Sequence, residues 1–122
     1  MNKMQDFDFK MIDSGHYAAM RYTGDEEHVT VPETFAGLPV TVLFDKLFLG
    51  HEEITSIKIP DIVTDLGEFM FEGCVNLKHL DLSASMTSMW PYAFAYCGLE
   101  EVICGPDVEI SPKAYETKKA WR

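Results

Sequence analysis

The sequence predicts a β-rich α/β solenoid: a short parallel sheet with a single helical turn in each coil, stacked from repeats and capped by an N-terminal β-hairpin. Two observations carry that prediction. The chain matches itself at an offset of 23 residues, and each matching unit holds a short stretch of alternating apolar and polar residues closed by a breaker. The offset aligns Val40, Val63 and Met86 in one column and Leu43, Leu66 and Met89 in a second. Phe48, Phe71 and Phe94 make a third, and His51, Cys74 and Cys97 a fourth. Ile57 and Leu80 are 23 apart, and Val102 follows after 22 because Gly98 replaces two residues of the earlier copy. A unit of this length holds too few apolar positions to bury them alone, so each coil needs neighbours on both sides.

The elements follow in chain order. Phe7 to Met11 and Tyr17 to Arg21 alternate and flank Asp13-Ser14-Gly15, which marks a hairpin turn. This hairpin is the expected N-terminal cap, over residues 1–28. About four coils are expected over 29–110. The first carries about five extra residues around Ala36-Gly37-Leu38-Pro39, and the central one reads IKIPDIVTDLGEFMFEGCVNLKH. In it, Ile57-Lys58-Ile59 reads as a strand that Pro60 ends by removing a ladder donor. Val63 to Leu66 reads as a second short strand and Glu68 to Glu72 as one helical turn. The next copy repeats this with Leu80-Asp81-Leu82, a turn from Pro91 to Tyr96, and Cys104 in the Ile59 and Leu82 column. A C-terminal cap is expected over 111–122, with Ser111-Pro112 opening a short helix that Tyr115 and Trp121 seat on the last coil.

Composition removes several function classes. The chain has 122 residues and a net charge of −10, suiting a single domain over 1–122. Between Tyr22 and Pro112 there are 16 acids against Lys46, Lys58 and Lys78 alone, a surface that repels phosphate backbones and anionic lipid. No apolar run approaches the ~20 residues of a membrane span. Asp6, Asp8 and Lys10 interrupt the stretch a signal peptide would need, so the chain as written is expected in the cytoplasm. A monomer or a weak end-to-end oligomer is expected.

The units resemble the BspA-like leucine-rich repeat family of bacterial surface and gut-microbe proteins. The resemblance rests on Ile59-Pro60, Val63-Thr64, Leu66-Gly67, Phe71, Cys74, Leu77 and Leu80, and again on Met86-Thr87, Met89, Ala93-Phe94, Cys97, Leu99 and Val102. It covers Val29 to Ile110. Trp90 departs from it where glycine is usual, His51 stands in the first cysteine position, and the last copy loses the phenylalanine and cysteine. The resemblance implies a leucine-rich-repeat solenoid used for protein recognition or adhesion, and allows a cell-surface location where such a chain is part of an exported protein.

Candidate chemistry is sparse. His51, Cys74 and Cys97 stack within metal-ligand reach at a strand spacing of ~4.8 Å, yet a fourth ligand is missing. The column is therefore expected to be a buried corner ladder whose thiols pack as apolar groups, and no metal or cofactor is expected. The same spacing permits a Cys74–Cys97 disulfide; reduced thiols are the expectation for an unsignalled chain. None of the phosphate-binding, hydrolase or metalloprotease motifs occurs, and no enzyme activity is expected. Asp13-Ser14-Gly15-His16 reads as a turn, and Asp25-Glu26-Glu27 and Glu52-Glu53 as solvated loop charge. Met70, Met86 and Met89 are read as core, and Met11 as part of the hairpin cap.

The expected working surface follows from strand alternation, which turns the neighbours of buried residues outward. Across the coils this makes two rows: Thr30, Lys58, Asp81 and Ile103, and beside them His28, Ser56, His79 and Glu101. Such a mixed surface suits a protein partner, with binding expected to vary between about pH 5.5 and 7.5 because imidazoles titrate there. The alternative is a structural spacer that stacks within a longer repeat array and has no binding site of its own.

Overall fold

The computed structural model describes residues 6–82, 88–89, 97 and 101–103. The expected turn from Pro91 to Tyr96, the side chains of Met86, Phe94 and Cys104, and the C-terminal cap lie outside the described residues. Ten strands follow in order: β1 (Phe7–Asp13), β2 (His16–Tyr22), β3 (His28–Thr30), β4 (Thr34–Phe35), β5 (Leu38–Leu43), β6 (Ser56–Lys58), β7 (Asp65–Leu66), β8 (His79–Asp81), β9 (Ser88–Met89) and β10 (Glu101–Ile103). They form two sheets. One runs β1-β2-β5-β7-β9 with β4 paired to β5, and the other runs β3-β6-β8-β10.

The repeat offset is the strand register. Leu43 faces Leu66, and Leu66 faces Met89, along the parallel β5-β7-β9 ladder. Val29 faces Ile57, Ile57 faces Leu80, and Leu80 faces Val102 in the other sheet. Each coil thus contributes one strand to each sheet, and the side chains between the sheets form the core. Val40, Leu43, Phe48, Val63, Leu66, Met70, Phe71 and Leu77 are fully buried there. The Phe48 and Phe71 rings stack nearly parallel, 5.8 Å apart at 9°.

The hairpin closes this stack at one end. β1 and β2 pair antiparallel around Ser14-Gly15, and β2 then joins β5 in parallel. The Gly15 N–H donates to Asp13 Oδ1 at 2.7 Å, and His16 Nε2 lies 2.9 Å from Asp13 Oδ2. These contacts, the Gly15 amide foremost, hold the Asp13 carboxyl below its ordinary range. Phe7 and Tyr22 continue the aromatic column, Phe7 meeting Phe48 edge-on at 6.2 Å and Tyr22 lying 5.5 Å from it. Met11 lies in β1 of this hairpin, where it pairs with Tyr17, and is 47% exposed. Register shifts at Asp8/Phe9 and Met11/Asp13 break the alternation, and burial fades toward the hairpin tip. The five extra residues of the first copy become the β4–β5 hairpin. Its two-residue loop, Ala36-Gly37, has positive φ at both positions (52° and 83°), the mirror-image turn that suits the twist of paired strands.

The expected helical turn at Glu68 to Glu72 is absent; the described residues contain no α-helix. The backbone explains why. Lys46, Phe48 and Gly50 donate their N–H groups to Glu68, Met70 and Glu72 of the next coil, at 3.0, 3.0 and 2.7 Å. Carbonyls that a helix would use four residues on are taken by the neighbouring coil. Lys46 and Phe69, 23 residues apart, both sit at positive φ (61° and 51°), as do Gly50 and Gly73 (75° and 83°). A left-handed residue interrupts a right-handed helix, so this side of each coil is a chain of tight turns. The second short strand is also shorter than expected, limited to Asp65–Leu66.

Candidate protein-binding face

The β3-β6-β8-β10 sheet brings the candidate residues together by backbone register. Thr30 pairs with Lys58, Lys58 with Asp81, and Asp81 with Ile103. His28 pairs with Ser56, Ser56 with His79, and His79 with Glu101. Between the rows, Val29, Ile57 and Leu80 point into the core. Thr30, Lys58, His28 and His79 are exposed, while Ser56 and Asp81 are half-buried. The side chains of Glu101 and Ile103 lie outside the described residues.

The start of each strand is clamped to the coil before it. Thr55 and Ser56 both donate their N–H groups to Glu27 O, at 2.7 and 3.2 Å. Lys78 and His79 do the same to Thr55 O, at 3.0 and 3.3 Å. This shared acceptor fixes the height of each coil on the next. On the surface, His28 Nδ1 and Ser56 Oγ share a 2.7 Å hydrogen bond, and Thr55 Oγ1 approaches the same nitrogen at 3.5 Å. At the other end of the strands, Lys58 and Asp81 border a shallow hollow of about 390 Å3 with Glu33, Asp61 and Pro60. Among the described residues Lys58 has no ion-pair partner within 4.0 Å, so its ammonium faces solvent beside three carboxylates. Glu33 and Asp61 occupy equivalent places in the first two copies, each three residues beyond the Thr30 and Lys58 positions, but strand alternation did not mark them as part of this face because they lie past the strand ends.

The model of the family described as BspA type Leucine rich repeat region (6 copies) matches residues 27–120. The chain belongs to this family. The BspA-type match runs past Ile110, where the coils counted from sequence end, into the segment read there as a C-terminal cap. Solved structures agree on the fold. A leucine rich repeat protein of T. pallidum superposes with a TM-score of 0.78 at 26% identity, over 85% of this chain and 53% of its own. A leucine rich cell surface protein of Faecalibacterium prausnitzii gives 0.68 at 25% identity, over 81% of this chain and 30% of its own. A leucine-rich repeat protein from Bacteroides capillosus gives 0.61 at 20% identity, over 81% of this chain and 94% of its own. The chain thus spans about half the length of the T. pallidum protein and about a third of the F. prausnitzii one. No curated protein matches it.

The cysteine column of this BspA-type chain is a backbone-bonded corner. Cys74 is fully buried and donates its S–H to Phe48 O at 3.0 Å. His51, one coil earlier, places Nε2 2.8 Å from Tyr22 O and Nδ1 2.7 Å from Glu53 Oε2. Burial pushes Glu53 upward, but the His51 hydrogen bond and the Glu53 backbone amide bring it net below its ordinary value. Histidine suits the first position because its longer side chain spans to the hairpin, where the carbonyl belongs to Tyr22. Neither Cys74 nor Cys97 forms a disulfide, and Cys97 is half-buried.

Burial pushes the Cys74 thiol up to about 12, from an ordinary value of 9.0. A thiolate is the reactive and metal-binding form, so Cys74 is expected to resist iodoacetamide at pH 8 in the folded protein and to label quickly in guanidinium. Peptide mass spectrometry reads this directly, and rapid labelling of the folded protein would move Cys74 out of the core. The folded thiol stays protonated while the unfolded one ionises, so this group favours folding less as pH rises through about 9.

Proposed function

We propose that the chain is a non-catalytic protein-recognition module: a leucine-rich-repeat solenoid, capped by the β1–β2 hairpin, that meets a protein partner on its β3-β6-β8-β10 face. One observation carries the reading. Parallel register merges two rows of polar and charged side chains into one rigid strip without the chain having to reorder on binding. Its chemistry is mixed, with an exposed ammonium, imidazoles, a hydroxyl and carboxylates side by side, and such surfaces suit protein partners. A surface location belongs to the same reading and draws on the F. prausnitzii relative, a cell surface protein. The second reading is a structural spacer; it draws on the longer T. pallidum and F. prausnitzii relatives, whose chains extend well beyond the matched region.

The test begins with affinity capture on immobilised protein. A captured partner's affinity is then measured for Lys58→Glu, His79→Ala and Ile103→Asp variants that keep the parent melting temperature. A loss of ~1–2 kcal/mol or more in at least one is expected for residues at the centre of an interface. Unchanged affinity in all three would place the contact elsewhere. A chain that captures nothing and self-associates end to end would support the spacer.

A further inference from the structure

A second surface, sharing no residue with the strip, lies where the hairpin meets the first coil. Met20, Arg21 and Tyr22 of β2 form one wall of a hollow of about 390 Å3, and the turn after β5 forms the other with Phe44, Lys46 and Leu49. Phe44 is 47% exposed and Leu49 is 49% exposed. Large apolar side chains this open, gathered around one concavity, mark interaction sites more often than scattered ones do.

Charge narrows the occupant. Residues 6–82 carry only five cations, Lys10, Arg21, Lys46, Lys58 and Lys78, against 15 acids. Two of the five, Arg21 and Lys46, border this hollow, and neither has an ion-pair partner among the described residues. The carboxylate beside them, Asp45, has one oxygen taken up by the Glu68 N–H at 2.8 Å. On a protein of net charge −10, a long anionic polymer or an anionic membrane meets repulsion over most of its contact. A short segment feels mainly the two nearby cations, since screening confines attraction to about 8–10 Å.

We propose that this hollow docks a short peptide segment of a partner protein, one that combines a bulky apolar side chain with flanking carboxylates. The apolar side chain packs on Phe44 and Leu49, and the carboxylates meet Arg21 and Lys46.

The test is a 15N–1H correlation titration of the whole chain with three hexapeptides. The probe is Asp-Asp-Leu-Phe-Asp-Asp, and the controls are Asn-Asn-Leu-Phe-Asn-Asn and Asp-Asp-Ser-Ser-Asp-Asp. Saturable shifts at the amides of Arg21, Phe44, Lys46 and Leu49 are expected with the probe and with neither control. The shifts should weaken as salt is raised. Phe44→Ser and Lys46→Asn are each expected to weaken probe binding roughly tenfold, while Lys58→Glu leaves it unchanged. Asparagine is chosen at Lys46 because it tolerates the positive φ there. Equal binding of the uncharged control, shifts on β3 and β6 instead, or no saturable shift with any peptide would each overturn the proposal. So would concentration-dependent dimerisation abolished by Phe44→Ser, which would assign the hollow to a second copy of the chain.

Discussion

Replacing Phe71 by alanine is expected to cost about 3–5 kcal/mol of folding stability, as a large truncation in a close-packed core. Phe71 is fully buried, and its ring lies 5.8 Å from Phe48 in nearly parallel register. The loss exceeds one side chain's transfer energy because the site resists collapse. Lys46, Phe48 and Gly50 on the preceding coil are bonded to Glu68, Met70 and Glu72, which hold the backbone on either side of Phe71 in place. A cavity would therefore persist. For a domain of this size the penalty amounts to a melting-temperature drop of roughly 10–20 °C, measured by circular dichroism with urea unfolding alongside. A variant melting within a degree or two of the parent would mean that the Phe48–Phe71 contact is not part of the stacked core.

Gly67→Ala is the second large effect, with a different cause. A Cβ built on Gly67 would lie 2.5 Å from the backbone nitrogen of Asp45 and 2.8 Å from its Cα. Backbone of the preceding coil cannot swing aside as a side chain can, so the coils must part or tilt. Forced overpacking of this kind costs roughly 1–3 kcal/mol. Here it also disturbs the Glu68 N–H bond to Asp45 Oδ1, which contributes about 1.5–3 kcal/mol as a bond to a charged acceptor. Gly37→Ala separates this clash from backbone strain. Gly37 has φ of 83° but nothing within 4 Å of an added Cβ, so strain alone should cost about 1–2 kcal/mol. Urea unfolding of the two variants decides the matter: Gly67 is not among the glycines at positive φ, so a loss no larger than that of Gly37→Ala would show that the coils accommodate the added Cβ.

The family resemblance places glycine at the Gly67 position, yet the same column holds Phe44 before it and Trp90 after it. Phe44 escapes the clash because the hairpin, not another repeat coil, precedes it, and its ring turns out to solvent at the hollow. The contact that forbids a side chain at Gly67 is the approach of the Asp45 backbone on the preceding coil, and Trp90 lies outside the described residues. A single coil read alone carries no sign of it.

The sequence by itself determined the pairing of the strands. A repeat offset aligns like with like, and burial of one apolar row per strand allows a parallel stack only one register, since a one-residue slip would turn every buried side chain outward. Leu43, Leu66 and Met89, and Val29, Ile57, Leu80 and Val102, meet as their columns require. The rows flanking them, from His28 and Thr30 onward, follow from the same alternation. Tertiary structure alone decided where backbone hydrogen bonds go. Phe69 and Lys46 share no side-chain chemistry, yet both are left-handed, and on either side of Phe69 the Glu68 and Met70 carbonyls a helix would need are taken by Lys46 and Phe48 of the preceding coil. It also decided the hollow between β2 and the turn after β5, which joins Arg21 to Lys46 across 25 positions of sequence. Periodicity records which side chains are buried, whereas the hairpin's contact with the first coil occurs once, and a contact made once leaves no period to read.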